Sequence, residues 1–407
     1  MQTPNIDRIA RRGVTFLNSY STDPVCCPAR ACWFTGRAAC ETGVTNNSMK
    51  LRPGMPDLGQ WLRKGGYQTF YTGKWHIPGR DVSKSFNVLS SGAIGEQGDD
   101  NVALTAQSFL RGYREADPFF FSIGFLNPHD ICNWWATYTM CDGEFPYPEL
   151  LDRLPAPPPN FNVKPNEIPT YSARSAATAK LTAGWSDEMW RFYLWSYHRY
   201  VEMVDGAIGR VLDALESSPH SRNTLLLFSS DHGDAHIHHR HTQKTLLYDS
   251  VCKVPMMASW PEALPEGVAD AAHLVSGLDV TPTICDFAGI APPPAMRGLS
   301  LRPALEERPV EWRDFLVSSS LGRGRMIRTA DWKLIRFEGE NEMQLFDSPN
   351  DPYEMHELSR GSNRFDTAIA ELAKALGEYE ASLDPAPLPP APAAGARGAR
   401  RQANAEE

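Results

Sequence analysis

The chain has 407 residues, 42% of them hydrophobic, and its 40 lysines and arginines against 49 aspartates and glutamates leave a net charge of −9. That length supports a large domain plus a smaller one, and the acidic balance excludes a nucleic-acid or anionic-membrane binder that works through overall charge. No apolar run approaches the roughly 20 residues that span a bilayer, so no membrane-spanning helix is expected.

In chain order, Thr3-Pro4 with Ile6, Ile9 and Ala10, stopped by Gly13, predicts a short amphipathic helix capped by Thr3, and Val14 to Tyr20 alternates as a strand. Cys26-Cys27-Pro28-Ala29-Arg30 then opens a second helix. Pro28 suits the first helical position, which puts Cys26 just ahead of free amides and a dipole that favour negative charge, with Arg30 as a cation one turn in. Leu58 to Gly65 reads as a helix, Tyr67 to Thr72 as a strand, Ala103 to Arg114 as a helix and Phe119 to Phe125 as a buried strand. The alternation predicts an α/β layered fold. Prolines at 155, 157, 158, 159, 165 and 169 forbid regular structure and predict a surface excursion near a substrate mouth. Trp185 to Leu215 is a long helix, and Thr224 to Phe228 a buried parallel strand that delivers Ser230-Asp231-His232-Gly233 at its carboxyl end, where open α/β sheets bind ligands.

After Gly298 the segments shorten: Phe315 to Ser319, Met326 to Arg328, Trp332 to Phe337 and Glu342 to Phe346, then a helix from Phe365 to Leu383. We read a catalytic domain over 1–305, an antiparallel sheet plus helix over 306–383 and a disordered Pro/Ala-rich tail over 384–407. The eight cysteines are scattered, without paired metal-ligand spacing, and too sparse for a disulfide scaffold.

Cys26-x-Pro28-x-Arg30 followed by Phe34-Thr35-Gly36-Arg37 resembles the signature of type I sulfatases, whose cysteine is converted after translation to formylglycine. Gly73-Lys74-Trp75-His76, Asn127-Pro128-His129, Asp231-His232-Gly233 and Lys244 match further family elements, in order along the chain. The resemblance implies an alkaline phosphatase-like fold: a large mixed, mostly parallel sheet sandwiched by helices, with the small C-terminal antiparallel subdomain. It also implies a sulfuric ester hydrolase matured by a formylglycine-generating enzyme. Converted Cys26 is then the nucleophile, Arg30, Lys74 and Lys244 hold the sulfate, His76 assists proton removal and His129 protonates the leaving alcohol. Asp231, His232 and Cys26 are the implied ligands of a divalent metal, calcium by family habit, although calcium prefers oxygen donors. His236, His238, His239 and His241 suggest a transition-metal cluster by count, but not with the spacing of a closed site. Trp134 and Trp135, beside Asp130 and Asn133, suit stacking on a sugar ring, which favours a sulfated carbohydrate substrate.

Family members open with a buried strand ending in an Asp-Asp pair that supplies two metal carboxylates, and none precedes the Thr3-Pro4 helix. Asp99-Asp100 read instead as caps for the helix from Ala103. The expectation is a chain lacking its first strand, with a weakened metal site and unpaired edges inside its sheet. Members are often exported, but the N-terminus has no charged-then-apolar signal pattern. The alternatives are a phosphate or phosphonate monoester hydrolase on the same scaffold, and a non-catalytic binder of sulfated glycans.

Overall fold

A computed structural model describes residues 1–91, 98–140, 144–293, 295–361 and 363–387. Helix α1 (Pro4–Arg11) and strand β1 (Val14–Tyr20) form where the periodicity predicts. Thr3 does not cap α1 through its side chain. Asp205, from a distant helix, accepts the free amides of Asn5 and Ile6 at 3.1 and 2.8 Å, so the cap is tertiary.

Helix α2 (Cys26–Thr35) starts at Cys26 itself, which places Pro28 inside the first turn, where its missing N–H is still no loss. Gly36, at φ +63°, ends it in the left-handed conformation that glycine adopts freely. Helices α3 (Ala39–Thr42) and α4 (Leu58–Lys64) follow, the latter capped by the Asp57 carboxylate on Gln60 N.

Strands β2 (Gln68–Gly73) and β3 (Asn87–Ser91), helix α5 (Asp99–Gly112) and strand β4 (Phe119–Gly124) make a parallel three-stranded layer in the order β3-β2-β4. Helices α6 (Ile131–Tyr138), α7 (Pro169–Leu181) and α8 (Asp187–Glu216) come next. Strand β5 (Leu226–Ser229), helix α9 (Asp249–Cys252) and strands β6 (Met256–Ser259) and β7 (Val268–Ser276) then return to β1. They build a second sheet ordered β5-β6-β1-β7, in which β1 runs parallel to β7 and antiparallel to β6. Helices α10 (Val280–Phe287) and α11 (Arg302–Leu305) lead to an antiparallel meander of β8 (Phe315–Ser320), β9 (Gly324–Thr329), β10 (Trp332–Phe337) and β11 (Met343–Asp347). Helix α12 (Asp366–Ala381) lays Leu372 and Leu376, four apart on one face, onto Val317, Ile327, Leu334 and Leu345 of that meander. Each leucine buried there contributes about 1.5–3 kcal/mol.

The mixed sheet is therefore divided. Among the described residues β4 and β5 each pair with one neighbour, and their apolar side chains are half-buried, where the sequence predicts buried strands. β5 is hydrogen-bonded antiparallel to β6 and reaches the direction of β1 only through it. Helix α8 packs on one face of both strands: Ala207 and Val211 with Phe119, Phe121 and Ile123, and Val204, Ile208 and Leu212 with Leu226 and Phe228.

At the other end of the chain, buried Glu41 accepts Arg37 at 2.8 Å, Arg297 at 2.6 Å and the amide of Asp384 at 3.1 Å. Ala386 N donates to Cys40 O at 2.8 Å. The stretch assigned to a tail from residue 384 thus begins bound; its residues 388–407 lie outside the described ones.

Candidate active site

The loop after β1 turns at Ser21, whose Oγ donates to the carbonyl of Asp231 after β5, so the start of α2 and the end of β5 meet. Cys26 Sγ, 1% exposed, lies 3.1 Å from His232 Nε2 and accepts from Lys244 Nζ at 3.1 Å. Burial raises its pKa, but His232, His76 and Lys74 more than offset that and hold the thiol well below its usual range. Cys27, one residue on, has its thiol pushed up to about 12 by burial, which separates the two sulfurs chemically.

Strand β2 ends at Gly73, where φ is +90° and an added Cβ would stand 2.0 Å from Gly124 O. Glycine is required by that approach, and it brings Lys74 N onto Gly124 O at 2.8 Å. Two apart, Lys74 and His76 would point the same way only if the strand continued past Gly73; it ends there and the chain turns, with His76 at φ +54°. Both still act on Cys26, His76 as a polar neighbour and Lys74 through its charge, each lowering the thiol pKa; His76 Nδ1 is buried without a hydrogen-bond partner among the described residues.

Arg30 is engaged on both sides, by Nε to Asp231 Oδ2 at 3.0 Å and by Nη1 to Lys74 O at 2.7 Å. It ties the metal-motif loop to the Lys74 turn. Burial raises the Asp231 pKa, but His232, Arg30, Lys74 and Lys244 hold it far below the ordinary carboxylate range. His129 is pushed down to about 4 by burial, then by Lys74 and Lys244, so its imidazole is neutral at pH 7. Lys244 has its pKa raised, because Cys26 and its neighbours outweigh burial. All eight residues singled out from the sequence therefore interact within one cluster, in which Arg30, Lys74 and Lys244 supply three cations.

Cys26, Asp231 and His232 offer ligand atoms within 4.8 Å of one another, a group that could hold a metal ion. Calcium takes about 6–8 oxygen ligands. The set supplies one carboxylate, already shared with Arg30, one imidazole and one sulfur, which does not fit calcium. The histidines of 236–241 diverge: His236 packs on Tyr197, His238 stacks on Tyr353, His239 bonds Asn160 and Val163 O, and His241 meets Glu167 at 2.9 Å. They form no metal-ligating group among the described residues.

Two further readings are corrected. Trp134, 7% exposed, packs edge-on to Trp185, Phe192 and Tyr193 and is core; Trp135, half-buried, packs on Trp185 and Tyr193. Asp99 is no helix cap. Its carboxylate accepts Leu126 N at 2.6 Å and Asn127 N at 2.9 Å, holding the turn that bears His129. Its tertiary role leaves no mark in a sequence pattern.

Residues 1–290 match the sulfatase family model, and residues 238–382 that of the N-sulphoglucosamine sulphohydrolase C-terminal region. The Delta 4,5-hexuronate-2-O-sulfatase of Bacteroides thetaiotaomicron is 30% identical, over 93% of this chain and 82% of that protein. An N-acetylglucosamine-6-O-sulfatase of the same organism is 26% identical over the same shares. The solved structure of a 2-O GAG sulfatase superposes with a TM-score of 0.83 at 28% identity, covering 93% of this chain and 86% of that one. No helix among the described residues is long and apolar enough to cross a membrane. With the motif residues gathered in one cluster and the match running over most of its length, this chain belongs to the sulfatase family.

Proposed function

We propose that the protein hydrolyses sulfate monoesters of a sulfated saccharide, with Cys26 converted to formylglycine by a generating enzyme. The observation that carries this reading is the convergence of Lys244, His232 and His76 on Cys26 Sγ, at the first turn of α2. The saccharide class rests on the relatives that act on hexuronate and N-acetylglucosamine sulfates. When present, formylglycine supplies a hydrated aldehyde, one hydroxyl of which is the nucleophile.

The surroundings suit that group. Lys244 and Lys74 face the developing charge on the sulfate oxygens, and a preorganised cation in a buried pocket stabilises it more than water can. His76, in reach of the side-chain atom at 26, is placed to take its proton. Arg30 keeps Asp231 ionised and the Lys74 turn in place. His129 is neutral at pH 7 because it is buried and, beyond that, faces the charges of Lys74 and Lys244. A bound anionic ester offsets the lysine part of that shift and raises the His129 pKa toward its ordinary value, which favours the protonated imidazole that donates to the leaving oxygen. A divalent cation at Asp231 and His232 would need oxygen donors beyond those two residues, and no step is assigned to it.

The test is the tryptic mass around Cys26 after co-expression with the generating enzyme, with turnover of sulfated disaccharides and of a phosphonate monoester. We expect thiol-to-aldehyde conversion, sulfate release, and loss of both in Cys26→Ala. Conversion with preference for the phosphonate would reassign the substrate. An unconverted thiol, with the generating enzyme active on a control, would leave a glycan-binding role.

A further inference from the structure

The loop that carries Lys244 runs against conformational preference. Gln243 and Thr245, on either side, have φ of +63° and +81°, the left-handed region that costs a non-glycine residue about 1–3 kcal/mol and is rarest for β-branched ones. Such a backbone persists only where its surroundings over-determine it. Thr245 N donates to Pro24 O at 3.1 Å, and Gln243 O accepts from Ala235 N at 2.8 Å. One side chain bridges both flanks of the lysine. Arg174, from α7, donates through Nη2 to Thr242 O at 2.7 Å and through Nη1 to Thr245 Oγ1 at 2.6 Å.

Packing alone does not account for a cation there. Both acceptors are neutral, and Arg174 Nε is buried without an acceptor among the described residues. Burial lowers the guanidinium pKa, opposed by Tyr171, Asp234 and Tyr193. Burying a charge against neutral acceptors carries a desolvation cost that an amide side chain would avoid. The bidentate fork, however, fixes two points of the loop at once, which neither an amide nor an ammonium does. The segment leading into α7 adds a second tie to the same loop, Glu167 on His241 at 2.9 Å.

We propose that Arg174 is the positioning residue of Lys244: it clamps the strained backbone on both sides so that the ammonium meets the sulfate oxygens at position 26. It touches neither the nucleophile nor the ester. The proposal rests on reading Lys244 as an oxyanion-binding cation.

The test is a double-mutant cycle on the affinity of the full, unconverted chain for inorganic sulfate, measured by calorimetry, with Tm read in parallel. We expect Arg174→Ala to weaken binding about tenfold and Lys244→Ala at least as much, with the double variant no weaker than Lys244→Ala alone. Arg174→Lys, which keeps the charge and reaches one acceptor, should fall between wild type and Arg174→Ala. In the converted protein, Arg174→Ala should lower kcat/KM for a sulfated disaccharide through kcat as well as KM, since Lys244 faces the sulfate in both the bound and the transition state. Losses that multiply in the double variant, or an Arg174→Ala protein with a lowered Tm and unchanged sulfate affinity, would overturn the proposal. Equal affinity in wild type and Lys244→Ala would sink the reading of Lys244 and the proposal with it. If Arg174→Ala does not fold, Thr245→Val, which deletes one acceptor and keeps the β-branch, carries the same cycle.

Discussion

Asp23 stands in the loop before Cys26, fully buried, with neither carboxylate oxygen hydrogen-bonded among the described residues. Burial raises its pKa well above the ordinary value, and Arg325 opposes this only in part. The folded state thus keeps a proton that the unfolded chain releases near pH 4. Below that pH both states are protonated and nothing is lost; above it the unfolded state ionises alone and stability falls as pH rises. Asp23→Asn should therefore raise the urea midpoint at pH 7, and the gain should vanish near pH 3.5 to about 4. A gain equal at both pH values would mean that ionisation is not its source. Nothing in Thr22-Asp23-Pro24 marks this residue as costly, because the cost arises from what folds around it.

Between β4 and α6 the turn that carries His129 depends on the first residue of α5. Removing the Asp99 carboxylate strands two buried amides, at roughly 1–3 kcal/mol each. Asp99→Ala should lower the Tm markedly and reduce kcat through His129. Asp100→Ala, which loses an exposed pair with Arg210, should change stability by less than about 1 kcal/mol. Equal effects from the two neighbours would remove the argument. The sequence shows an Asp-Asp pair and cannot say which member faces inward. What was legible was local: the Cys26 motif, the strand ends that deliver Lys74, His129 and Asp231, and the helical stretches that become α8 and α12. What was not legible spans the chain: Asp205 on α1, Asp99 on the His129 turn and Arg174 on the Lys244 loop pair residues that no spacing relates.

For the molecule as a whole, the division of the sheet sets a gradient of stability. Strands β4 and β5 each have one hydrogen-bonded neighbour among the described residues, whereas β9 and β10 each have two. Amide exchange should be fastest along the open sides of β4 and β5 and slowest in β9 and β10, since unpaired edges open locally at low free energy. Uniform protection across all four would mean that the edges of β4 and β5 do not open on their own. The same architecture governs how the protein bears load. The peptide leaving α12 is moored at Glu41, in the helix next to α2. Protein immobilised through the residues beyond 387 would take up tension at a knot of two arginines and a glutamate, not along a ladder of strand hydrogen bonds. The strain would arrive one short helix away from the nucleophile, so the choice of which end to tether decides whether a surface-bound sample reports the chemistry of the free one.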